Sequence, residues 1–161
     1  MQDEVLNLTI IIPVYNPDER LIGVVDGLVE KGFRDIIVVN DGSDTEHQDV
    51  LKSIESKCTL IHHKNKRGRE KAVATAAAFC MANRQNTVGA IIAKADKGQR
   101  AEEIYACGEN FVKNEYQSCD NVVSRRIFRL LHGLKQGEAV SFEEKKSGRY
   151  KTMLVNYRGI G

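Results

Sequence analysis

The sequence has no apolar run of the length that a membrane-spanning helix needs. Such a helix takes about 18–20 consecutive apolar residues, whereas the apolar runs of this chain have the length of single strands. The chain starts with an acidic Met-Gln-Asp-Glu stretch, and the apolar run after it is too short for a secretory signal peptide. We therefore expect a cytoplasmic protein whose contact with a membrane is at most peripheral.

The cysteines and histidines lack the spacings of metal sites. No two of the four cysteines form a Cys-x-x-Cys pair, and no histidines stand in a His-x-x-x-His or His-Glu-x-x-His arrangement. A zinc site is therefore not expected. Cys58, Cys80 and Cys107 fall in apolar segments, so we expect buried, reduced thiols and no disulfides.

Common signatures of nucleotide and nucleic-acid binding are missing as well. The chain contains no Gly-x-x-x-x-Gly-Lys-Ser/Thr loop and no Gly-x-Gly-x-x-Gly turn, which argues against P-loop and Rossmann dinucleotide sites. Its aromatic and basic residues do not form an RNP-like pattern. We therefore expect no nucleic-acid partner.

The charge that is present is unevenly divided. The 161 residues fit one domain by length, with a net charge of +2. Residues 121–161 hold nine Lys/Arg and three Glu, a balance of +6, which leaves −4 for residues 1–120. The basic segment 121–161 can face a phosphate ligand or an anionic membrane surface, or it can be a solvated face.

Apolar runs and amphipathic stretches alternate along the first 112 residues. The runs predict strands and the stretches predict helices. The predicted strands cover Leu8–Ile12, Ile36–Val39, Thr59–His62 and Val88–Ala93, and the predicted helices cover 17–31, 45–56, 70–83 and 101–112. This alternation predicts an α/β fold, a doubly wound, mainly parallel sheet with helices on both faces. Farther along, a helix over Val122–Leu134, a loop over 137–149 and a strand over Tyr150–Tyr157 are predicted.

The first predicted helix carries strong start and stop signals. Asn16 is predicted as its N-cap, Pro17 as its first residue and Glu19 as the acid of a capping box, and Gly32 is predicted to end it. For the second helix, Ser43 or Asp44 is the predicted cap.

Two strand ends place polar groups at one edge of the sheet. The first run ends in Pro13-Val14-Tyr15-Asn16 and the second in Asn40-Asp41-Gly42-Ser43. Open α/β sheets bind ligands at the carboxyl ends of their strands. The ring of Tyr15 suits a nucleobase, Asp41 can accept a hydrogen bond from a base N–H, and Gly42 permits close backbone approach. A turn with helix caps is the structural alternative for both segments.

A basic loop comes before the third helix. Arg67, Gly68 and Arg69 could meet a diphosphate through side chains and through free N–H groups at the helix start. A charged, solvated loop is the alternative.

These motifs resemble those of family 2 glycosyltransferases with a GT-A fold. The resembling residues are Ile12–Asn16, Val38–Ser43, His63, Asn65, Gly68, Ala72 and Ala93–Gln99. Residues Ser124–Arg125 and Phe128–Leu134 look like the polyprenyl-phosphate glycosyltransferase subgroup. The resemblance implies a nucleotide-diphospho-sugar transferase-like fold, a UDP- or GDP-sugar donor, and a lipid-phosphate or glycan acceptor. It implies a single domain over 1–161, with a nucleotide-binding half in 1–112 and an acceptor-side half in 113–161.

The resemblance also assigns site residues. The nucleotide-binding set comprises Pro13, Tyr15, Asn16, Asp41, Gly42, Ser43, Asn65, Arg67, Gly68, Arg69, Lys94 and Asp96. Where the family usually has Asp-x-Asp holding Mg²⁺ or Mn²⁺ on the diphosphate, this chain has Lys94-Ala95-Asp96-Lys97, so Asp96 is the remaining candidate metal ligand. Lys94 and Lys97 could instead neutralise the diphosphate directly.

Glu138 is the candidate for the acceptor-side base, because it follows Gly133-Leu134-Lys135 at the position of the family's aspartate. A surface glutamate is the alternative. The altered metal motif also leaves open two functions other than transfer. One is a non-catalytic nucleotide- or nucleotide-sugar-binding module, and the other is a redesigned or truncated scaffold that keeps the fold.

Overall fold

The computed structural model describes residues 3–84, 86–118, 121–125, 128, 139–147 and 150–158. Its strands are β1 (Thr9–Val14), β2 (Asp35–Asn40), β3 (Thr59–His62), β4 (Gly89–Ile92), β5 (Val122–Ser124), β6 (Ala139–Ser147) and β7 (Tyr150–Arg158). The α-helices are α1 (Glu19–Lys31), α2 (Gln48–Ile54), α3 (Arg69–Asn83) and α4 (Ala101–Lys113). Short 3-10 turns cover Val5–Asn7, Thr45–His47 and Ala95–Lys97.

The strands form one sheet in the order β5-β4-β1-β2-β3-β7-β6. The pairs β4–β1, β1–β2, β2–β3 and β3–β7 are parallel, whereas β5 and β6 run antiparallel to their neighbours. The predicted α/β fold with a doubly wound, mainly parallel sheet is thereby confirmed.

Alternate residues of the central strands pack into two separate hydrophobic cores, one on each face of the sheet. Ile10 and Ile12 of β1 pack with the side chains of α1, α2 and α4, and Ile11 packs with α3 on the opposite face. All three isoleucines are fully buried. A buried aliphatic side chain of this kind contributes about 1.5–3 kcal/mol. Burial on both faces explains why these strands read as continuous apolar runs.

The direction of the winding reverses beside β1. The chain runs outward from β1 through β2 to β3, and then returns through α3 to place β4 on the other side of β1. The segment after β1 therefore leads through α1 to β2, whereas the segment after its neighbour β4 leads through α4 to β5 on the opposite side. A crevice opens at such a reversal, and it is where open α/β sheets bind ligands.

The N-cap prediction for the first helix was wrong. Asp18, and not Asn16, is the N-cap of α1, and its carboxylate accepts a hydrogen bond of 3.0 Å from the Arg20 backbone N–H. Asn16 has a φ of 48°, a left-handed conformation that asparagine tolerates better than most residues. The helix stop at Gly32 is confirmed, because its N–H bonds to the carbonyls of Leu28 and Val29 at a φ of 110°.

The second predicted helix is shorter than expected. The 3-10 turn Thr45–His47 precedes α2, which covers Gln48–Ile54. Asp44 occupies the N-cap of the 3-10 turn without a side-chain cap bond, and the Ser43 hydroxyl is engaged elsewhere.

Two predictions in the last third were also wrong. The segment from Val122 to Ser124 begins no helix but forms β5, because it can pair with the open side of β4, where β-branched residues suit a strand. Most of the remaining predicted helix lies outside the described residues. Residues 139–147, predicted as loop, form β6, which pairs with β7 from Ala139–Arg158 to Ser147–Tyr150. Hairpin pairing overrides the low strand propensity of their charged sequence. The predicted strand over Tyr150–Tyr157 is confirmed as β7.

Within the described part of the chain, none of the helices has both the length and the apolar content that a membrane crossing needs.

Candidate functional site

A cavity of about 390 Å³ lies beyond the carboxyl end of β1, at the reversal of the winding. We call it the switch-point cavity. Its walls come from the β1–α1 segment, the end of β2, the start of α3 and the turn after β4. The lining residues are Pro13, Val14, Tyr15, Asn16, Pro17, Asp18, Arg20, Leu21, Asp41, Lys66, Arg69, Ala72, Ala95 and Asp96. Its volume is within the range of small-molecule sites.

The cavity brings together half of the residues that the sequence singled out for nucleotide binding. Those that line it are Pro13, Tyr15, Asn16, Asp41, Arg69 and Asp96. The others are not among the lining residues, namely Gly42, Ser43, Asn65, Arg67, Gly68 and Lys94. Glu138 lies outside the described residues. Asp18, Arg20 and Lys66 also line the cavity and were not predicted, although Lys66 directly precedes Arg67 of the predicted basic loop.

Asp41 is buried and its carboxylate is largely engaged. Oδ1 accepts hydrogen bonds from the Arg67 backbone N–H at 2.8 Å and from Nδ1 of His63 at 2.7 Å, and Oδ2 accepts one from the Gly68 N–H at 2.9 Å. The residue is only 3% exposed. Asp41 therefore anchors the main chain of the loop before α3 to the end of β2. A carboxylate has about four acceptor positions, so one position remains for a ligand.

His63 connects this anchor to α3. Its Nδ1 faces Asp41, and its Nε2 lies 2.8 Å from Oγ1 of the buried Thr75 in α3. Burial lowers the pKa of His63, and the charges of Arg67 and Lys71 lower it further, whereas the bond to Asp41 acts in the opposite direction. The proton of the ring lies on Nδ1, because the carboxylate can only accept. The Thr75 hydroxyl also lies 2.9 Å from the Lys71 carbonyl, so its single proton is donated either to that carbonyl or to Nε2.

Gly42 permits a close approach between two loops. Its φ is +72°, and a Cβ there would lie 2.5 Å from the backbone N of Lys66 and 2.6 Å from the carbonyl carbon of Asn65. No real Cβ makes such contacts, so a glycine is needed here. The close backbone approach that the sequence suggested is made to the loop before α3.

Asn16 joins the ends of β1 and β2. Its backbone N–H donates to Oγ of Ser43 at 2.9 Å, and its side-chain Oδ1 accepts from the Asp44 N–H at 2.9 Å. Its Nδ2 donates to Oδ2 of Asp44 at 3.2 Å. Asn16 and Ser43 were predicted as helix caps. In the structure, the hydrogen bond between them instead joins the two strand-end segments.

Tyr15 and Lys66 form the outer wall of the cavity. The Tyr15 side chain is at the end of β1 and the residue is 43% exposed. The Lys66 Nζ lies 3.9 Å from the centroid of its ring. A cation–π contact of this kind at an exposed site is worth about 0.5–1 kcal/mol. It holds the ammonium group at the rim of the cavity.

The acidic groups of the cavity fit a divalent metal poorly. Arg20 engages both oxygens of Asp18 through Nε and Nη2 at 2.8–3.1 Å, and these bonds lower the pKa of Asp18 to about 2. Asp41 is engaged as described, which leaves Asp96. The described residues contain no group of three or more His, Cys, Asp or Glu that could hold a metal ion. A hard cation such as Mg²⁺ needs several oxygen ligands, so these residues do not fit the predicted metal site.

Two cations of the cavity have no acidic partner. Lys66 and Arg69 form no salt bridge with any described residue. The Lys94 side chain is not part of the lining, and its backbone N–H instead donates to Oε1 of Gln99 at 3.1 Å, which closes the turn after β4. Asp18 and Arg20 form a pair, Lys66 and Arg69 bring two positive charges, and Asp41 and Asp96 bring two negative charges, so the formal charges of the lining sum to zero.

Comparison with known protein families gives one match for this part of the chain. Residues 9–84 match the model of Glycosyl transferase family 2. The matched segment runs from the start of β1 to the end of α3, so it includes Tyr15, Asp41, Lys66 and Arg69 but not Asp96. A comparison with curated protein sequences found no match. The resemblance to family 2 glycosyltransferases that the sequence motifs indicated is thereby confirmed over residues 9–84.

Proposed function

We propose that this protein is a glycosyltransferase-like protein whose switch-point cavity binds the nucleoside diphosphate part of a UDP- or GDP-sugar. The family match supports glycosyltransferase-like function in general. One observation carries the finer proposal, which is that Tyr15, Asp41 and Arg69 meet in one cavity at the reversal of the sheet. An aromatic face, a carboxylate and a guanidinium match the base and diphosphate of such a donor.

In this proposal each group has one role. The base lies against the exposed ring of Tyr15, and the free acceptor position of Asp41 receives an N–H of the base. The diphosphate points toward α3, where Arg69 is the first residue. The hydrogen bonds of Asp41 and Asn16 fix both strand-end segments, which lowers the entropy lost on binding.

Transfer would use an acceptor that is a lipid phosphate or a glycan. The acceptor oxygen forms a bond to the anomeric carbon while the bond from that carbon to the diphosphate breaks, and the nucleoside diphosphate leaves with the electron pair. Glu138 is the proposed base for a hydroxyl acceptor, whereas a phosphate acceptor needs no base. The basic segment 121–161 supports peripheral contact with an anionic membrane that carries such an acceptor.

A non-catalytic nucleotide- or nucleotide-sugar-binding module is the second candidate. The observation that favours it is the single remaining acid, Asp96, where donor activation in the resembling family usually employs two. It shares the base pocket with the first candidate, so binding of the nucleotide does not separate them. Transfer or hydrolysis of the donor does.

Calorimetry with UDP and GDP tests the shared part of the proposal. We expect one of them to bind the wild type, and Tyr15→Ala to weaken that binding about tenfold, because stacking on an aromatic ring is worth about 1–3 kcal/mol. Val29→Ala is the control, since Val29 is exposed on α1 and does not line the cavity. Failure of both nucleotides to bind, with and without Mn²⁺, would refute the donor site.

Release of free UDP or GDP from the matching nucleotide sugar then separates the two candidates. Release that increases with a polyprenyl phosphate acceptor supports transfer. Tight binding of the nucleotide sugar with no release supports the binding module.

A further inference from the structure

We infer that the diphosphate in the switch-point cavity is held by the side chains of Lys66 and Arg69, with no divalent metal between phosphate and protein. This inference rests on the proposed nucleotide-sugar function. It differs from the metal role assigned to Asp96 in the sequence analysis, and from the roles suggested there for Lys94 and Lys97.

The first argument is the state of the carboxylates. A metal bridging to a diphosphate needs protein oxygens with free lone pairs at one point of the site. Both oxygens of Asp18 are bound by Arg20. Both oxygens of Asp41 accept N–H groups, and the one acceptor position left on Asp41 is taken by the base in the proposed function. Asp96 alone is left among the lining acids.

The second argument is the state of the cations. Lys66 and Arg69 line the same cavity, both are exposed, and neither forms a salt bridge with a described residue. A guanidinium can bind two phosphate oxygens at once, and an ammonium acts as a point charge. Lys66 is additionally held over the Tyr15 ring, 3.9 Å from its centroid, so its charge is already at the rim where the nucleotide would enter.

The third argument is the main chain between the two cations. Asp41 binds the backbone N–H groups of Arg67 and Gly68, the two residues that separate Lys66 from Arg69. The main chain between the two cations is therefore held by a buried carboxylate. Arg69 begins α3, whose positive end faces the same side, and this adds to the field that the two side chains create.

The effect of replacing Asp96 distinguishes metal-dependent from metal-independent binding of the diphosphate, because the two modes predict affinity changes in opposite directions. As a metal ligand it would attract the nucleotide through the ion, and Asp96→Asn would weaken binding. Without a metal its negative charge repels the diphosphate, and the same variant would strengthen binding. Asp96 also interacts electrostatically with Arg20, whose pKa is raised by Asp18 first and by Asp96 to a lesser degree, so removing it increases the positive charge that the ligand meets.

The test measures UDP and GDP affinity by calorimetry in EDTA and in Mn²⁺, on the folded full chain. We expect the affinity to change less than about twofold between the two buffers. Arg69→Gln and Lys66→Gln should each weaken binding about tenfold, the size expected for a lost charge-assisted hydrogen bond, and leave binding of the nucleoside unchanged. Asp96→Asn should tighten UDP or GDP binding a few-fold. Arg34→Gln and Lys52→Gln are matched controls, because both residues are exposed and outside the cavity.

Three results would overturn the inference. Binding that requires Mn²⁺ and is weakened by Asp96→Asn would restore the metal site and leave the proposed function intact. Metal-independent binding that Arg69→Gln and Lys66→Gln do not change would mean that other groups hold the diphosphate. Absence of UDP and GDP binding in both buffers would refute the proposed function together with the inference.

Discussion

At the amino edge of the sheet, Thr9 donates a hydrogen bond of 2.7 Å to Asp35, and Arg84 donates to the other oxygen of the same carboxylate at 2.9 Å. Every charge in this small network has a partner. At the carboxyl edge, Asp41 is as thoroughly bonded, but Lys66 and Arg69 beside it have no acidic partner among the described residues. The two edges differ in how their cations are engaged. Arg84 is bound to Asp35, which stabilises the fold, whereas Lys66 and Arg69 form no salt bridge with a described residue and are able to attract an anionic ligand.

The largest expected effect comes from breaking the anchor at the carboxyl edge. Asp41→Ala leaves the N–H groups of Arg67 and Gly68 and the ring of His63 without their acceptor. We expect the free energy of unfolding to fall by about 2–4 kcal/mol, and nucleotide affinity to fall with it because the loop that carries Lys66 is no longer fixed. Urea denaturation and calorimetry measure the two effects. Unchanged stability would show that the loop is held by other contacts.

A smaller loss of stability is expected from a substitution at the amino edge. Thr9→Val has nearly the same shape but removes the hydroxyl that contacts Asp35 and, at 2.8 Å, Oγ1 of Thr87. We expect unfolding to become easier by about 1–2 kcal/mol, with nucleotide affinity unchanged, because these residues lie at the end of β1 opposite to the cavity. Loss of affinity in a variant that is still folded at the assay temperature would contradict the separation of the two edges.

The smallest effect is a dependence of stability on pH. Burial lowers the pKa of His63 below its ordinary value of 6.5. The unfolded chain therefore binds the proton more readily, so this contribution to stability is complete above pH 6.5 and is lost as the pH falls from there through the folded-state pKa. His62 has a pKa lowered by burial and contributes with the same sign. We expect wild-type protein to be easier to unfold at pH 5.5 than at pH 7.5, and His63→Gln to reduce the difference. An equal difference in both proteins would assign the effect to other groups.

The central strands and the site edge were predictable because each rests on local sequence. Strands β1 and β2 are continuous apolar runs, and a run of that kind indicates burial on both faces. Tyr15 and Asp41 follow such runs directly, so their positions at the carboxyl edge follow from the topology. The N-cap was not predictable in the same way, because Asn16 and Asp18 are both good caps and the choice depends on a contact with Ser43 and Asp44.

Pairing with a neighbouring strand accounts for the other differences. The sequence pattern favoured a helix over 122–134 and a loop over 137–149, but β5 forms by pairing with β4 and β6 forms by hairpin pairing with β7. The arrangement of charges in the cavity was likewise not predictable from local sequence. The sequence shows several basic residues around the third helix, but only the folded chain shows that Lys66 lies over Tyr15 and that Lys94 does not line the cavity.

The position of β1 in the sheet has a consequence for how the chain assembles. β1 precedes the other described strands in the chain, and its two neighbours in the sheet are β2 and β4, which ends at Ile92. One side of β1 therefore stays unpaired until the chain beyond α3 has been made, and pairings this far apart in sequence form slowly. Unpaired strand edges are templates for aggregation. A fragment cut after residue 84 would keep the family 2 segment but expose this side of β1 permanently, so we expect it to self-associate even though it retains Tyr15 and Asp41, the side chains proposed to bind the base.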